Sequence, residues 1–122
     1  MSLTRMRQKT MLCRNLSKNI VVAENVEPAR TMFERMMGLM FRPALEDGKG
    51  MHISRCAAVH TCFMRFEMDA VFLDRNLRVL RVIHQMRPWH FSPWVWGADS
   101  VLELPGGSAA GVLSAGDTVS FS

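Results

Sequence analysis

Cys56, His60, Thr61 and Asp69 place a thiol, an imidazole, a hydroxyl and a carboxylate within one short stretch of chain. A thiolate nucleophile needs a nearby base and a group that orients that base, and Cys, His and Asp are the residue types that supply them. A small thiol-dependent hydrolase using Cys56 and His60 is therefore one reading, with Asp69 on the adjoining strand or its approach. A buried, hydrogen-bonded histidine beside a structural cysteine uses the same residues without catalysis. No complete catalytic motif accompanies them, so the weight falls against an enzyme.

Metal binding fares worse. His52, Cys56, His60 and Cys62 have ligand chemistry, but no Cys-x-x-Cys pair is present and nothing in the spacing brings His52 to the others. Neither a metal nor an organic cofactor is expected.

Two further groups carry charge or aromatic surface. Arg42, Arg65, Asp69 and Glu103 can form a buried Arg–Glu or Arg–Asp pair that holds the fold, because charges are rarely buried unpaired. The same groups can line a polar pocket for a small anionic or polyhydroxyl ligand, with His60, Arg65, Asp69 and Glu103 as its ligand-binding residues. All three tryptophans, Trp89, Trp94 and Trp96, fall within residues 89–96. Such rings either stack on a ligand or partner, or fold over the sheet as core.

These residues need a scaffold. A chain of 122 residues with 48% hydrophobic and 21% charged residues has the composition of one ordinary globular domain. Residues 1–8 are expected to be a flexible N-terminus and 9–122 a single domain. No stretch approaches the roughly 20 apolar residues of a membrane span, and no secretory leader is visible. With three cysteines and no disulfide framework, the expected location is the cytoplasm. The net charge of +4 is spread out, partly over Arg5, Arg7, Lys9, Arg14 and Lys18, so nucleic acid is not an expected partner. A monomer that binds a small molecule or a protein is expected.

Residues 10–24 alternate as two short strands with a turn at Ser17–Asn19. The period then changes. Pro28 suits a first helical turn, and Ala29, Met32, Met36, Leu39 and Met40 recur at three- and four-residue steps, so the pattern predicts a helix over about 28–38. Met32, Met36, Met37 and Met40 are expected to fill an irregular helix–sheet core. From residue 51 onward the pattern is β: a buried strand at 70–73, a turn at 74–77, a returning arm from Val79, a strand at 101–104 stopped by Pro105-Gly106-Gly107, and a closing strand at 118–121. The fold class is mainly β, at the margin of α+β: an antiparallel sandwich or partly open barrel with one packed helix.

Three blocks in order carry a family resemblance: Arg35-Met36-Met37-Gly38-Leu39-Met40-Phe41-Arg42; His60-Thr61-Cys62-Phe63-Met64-Arg65-Phe66-Glu67-Met68-Asp69 with Val71-Phe72-Leu73-Asp74; and Val101-Leu102-Glu103-Leu104-Pro105-Gly106-Gly107 with Gly116-Asp117. Together they resemble the family called domain of unknown function 192, from about residue 10 to the end. Cys56 and Arg87-Pro88-Trp89 look like the branch that reads Cys, a few residues, then His-Thr-x-Phe-Met. The resemblance implies a compact β-sandwich-like domain and brings no established reaction. Gly107 and Ser108 stand where the family more often shows Ala-Gly-Thr, and Trp94 and Trp96 enrich a loop that is usually plainer.

The functional expectation is a non-catalytic accessory domain that binds a small ligand or a protein through the aromatic loop 89–96. The alternatives are the thiol hydrolase and a structural subunit of a secretion or surface assembly, which an outer apolar patch would support.

Overall fold

In a computed structural model, residues 10–39 and 42–122 are described, leaving out the side chains of Met32 and Phe33. The flexible N-terminus expected at 1–8, and the core roles expected of Met32 and Met40, fall outside what is described.

Among the described residues the strands are β1 (Met11–Asn15), β2 (Ile20–Ala29), β3 (Lys49–Ser54), β4 (Met68–Leu73), β5 (Val79–Met86), β6 (Ser100–Pro105) and β7 (Val119–Phe121), with a helix, α1 (Met32–Leu39), between β2 and β3. They form a single sheet in the order β5-β4-β6-β3-β2-β1-β7. Every pairing is antiparallel except β2 with β3, which runs parallel from Asn25↔Lys49 to Ala29↔Ile53. That pair requires a crossover connection, and α1 supplies it.

The sheet curls into a half-barrel, and at one end its two edges touch. The Val79 amide donates to the Asp117 carbonyl at 2.7 Å and the Val119 amide to the Leu77 carbonyl at 2.9 Å, around an Arg78↔Thr118 bridge. Of the two architectures expected, the partly open barrel is the one formed.

Curling gives the sheet an inside and an outside. Side chains alternate along each strand, so Val71, Leu73, Leu102, Leu104 and Val119 fill the interior with Cys13, Ala23 and Val26. Met51, Ile53, Met68, Ala70, Phe72 and Val101 point outward. That outer face is covered by Leu39 of α1 and by Cys56, Val59, Met64 and Val95 of the loops 55–67 and 87–99. Both faces of β4 and β6 are therefore buried along their whole length.

The helix starts later than the spacing predicts. Pro28 belongs to β2, in register with His52, and lies past Met11↔Val26, the last β1–β2 pairing among the described residues. The start is set by Thr31, whose hydroxyl accepts from the Glu34 amide at 3.1 Å, while the Glu34 carboxylate accepts from the Arg30 amide at 2.8 Å. This is a helix cap close to the reciprocal capping arrangement. Met36 is half-buried and Met37 lies exposed, so the described methionines of α1 are not the core fillers expected; Met51, Met64, Met68 and Met86 are.

Candidate functional site: an aromatic face beside a sealed ion pair

Glu103 points to the outer face, since its register partners are Met51 and Ala70, both outward. Its partner is Arg35 of α1, not Arg42 or Arg65. Arg35 Nη2 donates to Glu103 Oε2 at 2.8 Å, and Arg35 Nε donates to both carboxylate oxygens. The two residues are 1% and 0% exposed. The remaining side of the guanidinium meets sulfur, with Met64 Sδ at 3.6 Å and Met68 Sδ at 3.8 Å. Burial pushes the Glu103 carboxyl above its ordinary range, and the adjacent guanidinium opposes that rise. The signal missed in the sequence is spacing: Arg35 is three residues after Met32 and four before Leu39, on the apolar stripe. Arg42 pairs instead with Glu27 at 3.7 Å near the surface, and Arg65 is exposed.

Asp69 faces the opposite way. Its register partner is Leu104, an interior residue, and its carboxylate accepts three backbone amides: Gln85 at 2.7 Å, Gly107 at 2.9 Å and Ala109 at 2.8 Å. It thereby anchors the turn after β6 and the irregular pairing of β5, where Gln85 has φ of 50°. Gly106 is needed at that turn, because a Cβ there would lie 2.9 Å from Glu67 Cβ. Asp69 and Glu103 thus stand on opposite faces of one sheet, so they do not line one pocket.

The thiol constellation is also divided by the sheet. Cys56 and His60 are on the outer side, both close enough to Arg35 to feel its charge, and Asp69 is on the inner side. The Cys56 thiol donates to the Ala58 carbonyl at 3.0 Å, and burial raises its pKa. His60 Nδ1 accepts from the Cys62 amide at 3.2 Å, which places the proton of a neutral ring on Nε2; burial and then Arg35 hold its pKa down. His52 lies on the inner face, stacked on Phe121 with ring centroids 4.3 Å apart, remote from the other candidate metal ligands. No group of three or more His, Cys, Asp or Glu side chains placed to hold a metal ion occurs among the described residues.

Thr61 organises the outer loops. Its amide donates to the His90 carbonyl at 2.8 Å, its carbonyl accepts from the Trp89 amide at 3.0 Å, and its buried hydroxyl donates to the Arg87 carbonyl and accepts from the His90 amide. The two loops are further tied by Val59 to Ser92 and by Val95 to Ala57. On this frame the aromatic rings face solvent: Phe63, Trp89 and Trp94 are more than half exposed, Phe91 is 75% and Trp96 87% exposed. Phe63 packs on Trp89 at 4.7 Å, and both have φ near +65°, a backbone region costly for residues with a side chain. A cleft of about 440 Å³ opens between the β5 edge and the loop, lined by Arg81, Ile83, Gln85, Arg87, His90 and Phe91.

Fold and site together define a small half-barrel β domain with a sealed Arg–Glu pair beneath an exposed aromatic loop. The model of the family DUF192, described as "Uncharacterized ACR", matches residues 14–121, and the chain belongs to that family. It is similar to a UPF0127 protein of Thermococcus sibiricus, 33% identical over 97 residues that are 76% of this chain and 62% of that protein. The match therefore spans less than two thirds of that relative. A UPF0127 protein of Pyrococcus horikoshii is 36% identical over 78 residues, 62% of this chain and 67% of that protein. Among solved structures, a protein of unknown function from Novosphingobium aromaticivorans matches with a TM-score of 0.77 and 29% identity, covering 91% of this chain and 83% of that one. A putative transcription regulator from Sinorhizobium meliloti matches with a TM-score of 0.79 over 93% and 95%, and at 19% identity shows the fold alone. Among the described residues, no helix is long and apolar enough to cross a membrane.

Proposed function

We propose that this chain is a non-catalytic binding domain whose recognition surface is the aromatic face formed by Trp89, Trp94 and Trp96 with Phe63, Phe91 and the neighbouring cleft. The observation that carries the reading is the exposure of all five rings on loops that Thr61 ties down. Exposed aromatic clusters on a rigid frame are what recognition uses, since little conformational freedom is lost when a partner arrives. Arg81 and Arg87 give the cleft a positive wall, so an anionic group is its natural occupant.

Asp69 and Glu103 leave the binding list, because their oxygens are engaged within the fold. His60 and Arg65 stay as rim residues. The thiol-hydrolase reading is weakened by the raised Cys56 pKa and by the separation from Asp69. The exposed aromatic face equally suits a subunit of a larger assembly. The thiols of Cys13, Cys56 and Cys62 suit the cytoplasm.

The test is a chemical-shift map of the labelled full chain against a panel of small anionic and aromatic fragments. Shifts gathered on residues 60–65 and 81–96 are expected. Shifts scattered over the surface, or centred on Cys56 with covalent modification, would overturn the reading. A companion measurement is the stability of the W94A/W96A variant: a large loss of stability would show that those rings belong to the core.

A further inference from the structure

Four of the five exposed rings lie outside the cleft: only Phe91 lines it, whereas Phe63, Trp89, Trp94 and Trp96 project elsewhere. A small ligand in the cleft therefore leaves most of the aromatic surface unexplained. Nor do the rings form a stacking platform. Trp94 and Trp96 meet edge-on at 69°, Phe63 and Trp89 are tilted by 58°, and His60 and Phe91 by 47°. Successive bases of a single strand, or the flat face of a sugar, call for open ring faces in sequence. A bilayer interface asks only for apolar, amphipathic rings that project from a rigid support, and tryptophan is the residue most at home there.

Charge points the same way. The segments 54–66 and 75–98, which carry the rings and the adjoining edge strand, contain Arg55, Arg65, Arg75, Arg78, Arg81 and Arg87 and no aspartate or glutamate. All six arginines are exposed. Glu67, Asp74 and Asp99 border these segments, so the local formal charge is +3 of the chain's +4. Basic groups beside exposed aromatic rings complement a surface of anionic lipid headgroups.

We infer that the aromatic loop and its arginine flank dock this domain on an anionic lipid bilayer, with the tryptophan and phenylalanine rings entering the headgroup region and the guanidinium groups meeting lipid phosphate and carboxylate. The inference rests on the reading that this face is the recognition surface, and it names the partner.

The chain supplies its own reporter, since it has three tryptophans, all in the loop, and no tyrosine. Tryptophan emission and co-sedimentation are measured on the full chain with phosphatidylcholine vesicles, with and without phosphatidylserine, at low and high salt. A blue shift and sedimentation are expected only with phosphatidylserine, and both should weaken at high salt. Lipid brominated on its acyl chains should quench the shifted emission. The variant R81Q/R87Q should bind about twenty-five-fold more weakly, each basic residue contributing about fivefold. The variant W94A/W96A, checked for native circular dichroism, should lose sedimentation, read by absorbance or gel.

No shift and no sedimentation with either vesicle overturns the inference. Undiminished binding by W94A/W96A also overturns it, leaving only the diffuse attraction of a basic protein. A shift with a single-stranded oligonucleotide in place of vesicles transfers the surface to nucleic acid. In each of these cases fragment shifts still centred on residues 60–65 and 81–96 keep the recognition-face reading, and their absence removes both.

Discussion

Arg35 and Glu103 are separated by 68 positions in the chain and meet in a two-pronged ion pair that solvent does not reach. The pair joins α1 to the centre of the sheet, because Glu103 sits on β6 between β3 and β4. A sealed pair of this kind recovers in mutual attraction much of what its desolvation costs, so its net contribution is small while its disruption is severe.

Replacing one partner should therefore be worse than replacing both. Arg35→Met or Glu103→Gln alone leaves a charge in an apolar pocket and is expected to cost about 3–5 kcal/mol. The double variant Arg35→Met with Glu103→Leu should recover most of that loss. Urea unfolding of the four proteins closes the cycle, and strictly additive losses would contradict the account.

Asp69→Asn should act at a distance from any ligand. One amide oxygen cannot replace a carboxylate that accepts three backbone amides, and the expected loss is about 3 kcal/mol. Amide exchange should accelerate first at Gln85, Gly107 and Ala109. Faster exchange spread evenly through the sheet would show that Asp69 does not hold these two segments in particular.

Stability should fall on the acid side of neutrality, and His52 should carry part of that fall. Burial lowers its pKa below the ordinary 6.5, with Asp99 opposing, and its Nε2 has no hydrogen-bond partner among the described residues. Because the folded-state value is the lower one, the unfolded chain takes up the proton first. The neutral ring's contribution is complete above about pH 6.5 and is lost as pH falls through the folded-state pKa. His52→Phe should flatten the pH dependence of the urea midpoint between about pH 7 and 5, without abolishing it, since His60 is displaced in the same direction. An unchanged slope would remove His52 from the account. Asp117, also held low, first by the Asn15 side chain at 2.9 Å, withdraws its support only in stronger acid.

Two glycines should fail for different reasons when changed to alanine. At Gly106 the added Cβ meets Glu67 Cβ at 2.9 Å and Glu67 backbone at 3.1 Å, so the turn must move away from the start of β4. At Gly111 nothing among the described residues lies within 4 Å, but φ is +73°, and the cost is conformational, about 1–2 kcal/mol. Circular dichroism melts should rank Gly106→Ala as the more damaging, and asparagine should be tolerated better than alanine at position 111 only.

Thiol labelling of the native chain should proceed in order of access. Cys62 is half-buried and should react first. Cys56 is buried with a raised pKa, and Cys13 lies in the barrel interior with its pKa pushed up to about 12. Both should label only as the chain opens, with rates that follow added urea. Rapid labelling of Cys56 at neutral pH would revive the thiol-enzyme reading.

The sequence by itself determined what depends on near neighbours. Alternation along 11–15 and 20–24, the turn residues at 74–77, and Pro105-Gly106-Gly107 mark strands and their ends, because side-chain direction and allowed backbone angles are local properties. The family resemblance was legible in the same way, as three blocks of adjacent residues. The helix start was displaced because Pro28 satisfies a helix and a strand end alike, and only the Thr31–Glu34 cap distinguishes them. Tertiary structure decided the rest. Which arginine meets Glu103, which face Asp69 takes, and whether Trp89, Trp94 and Trp96 are covered all follow from strand register and from the curl that brings Val79 to Asp117. A one-residue change of register exchanges the faces of a strand, so partners far apart in the chain cannot be read from composition or spacing.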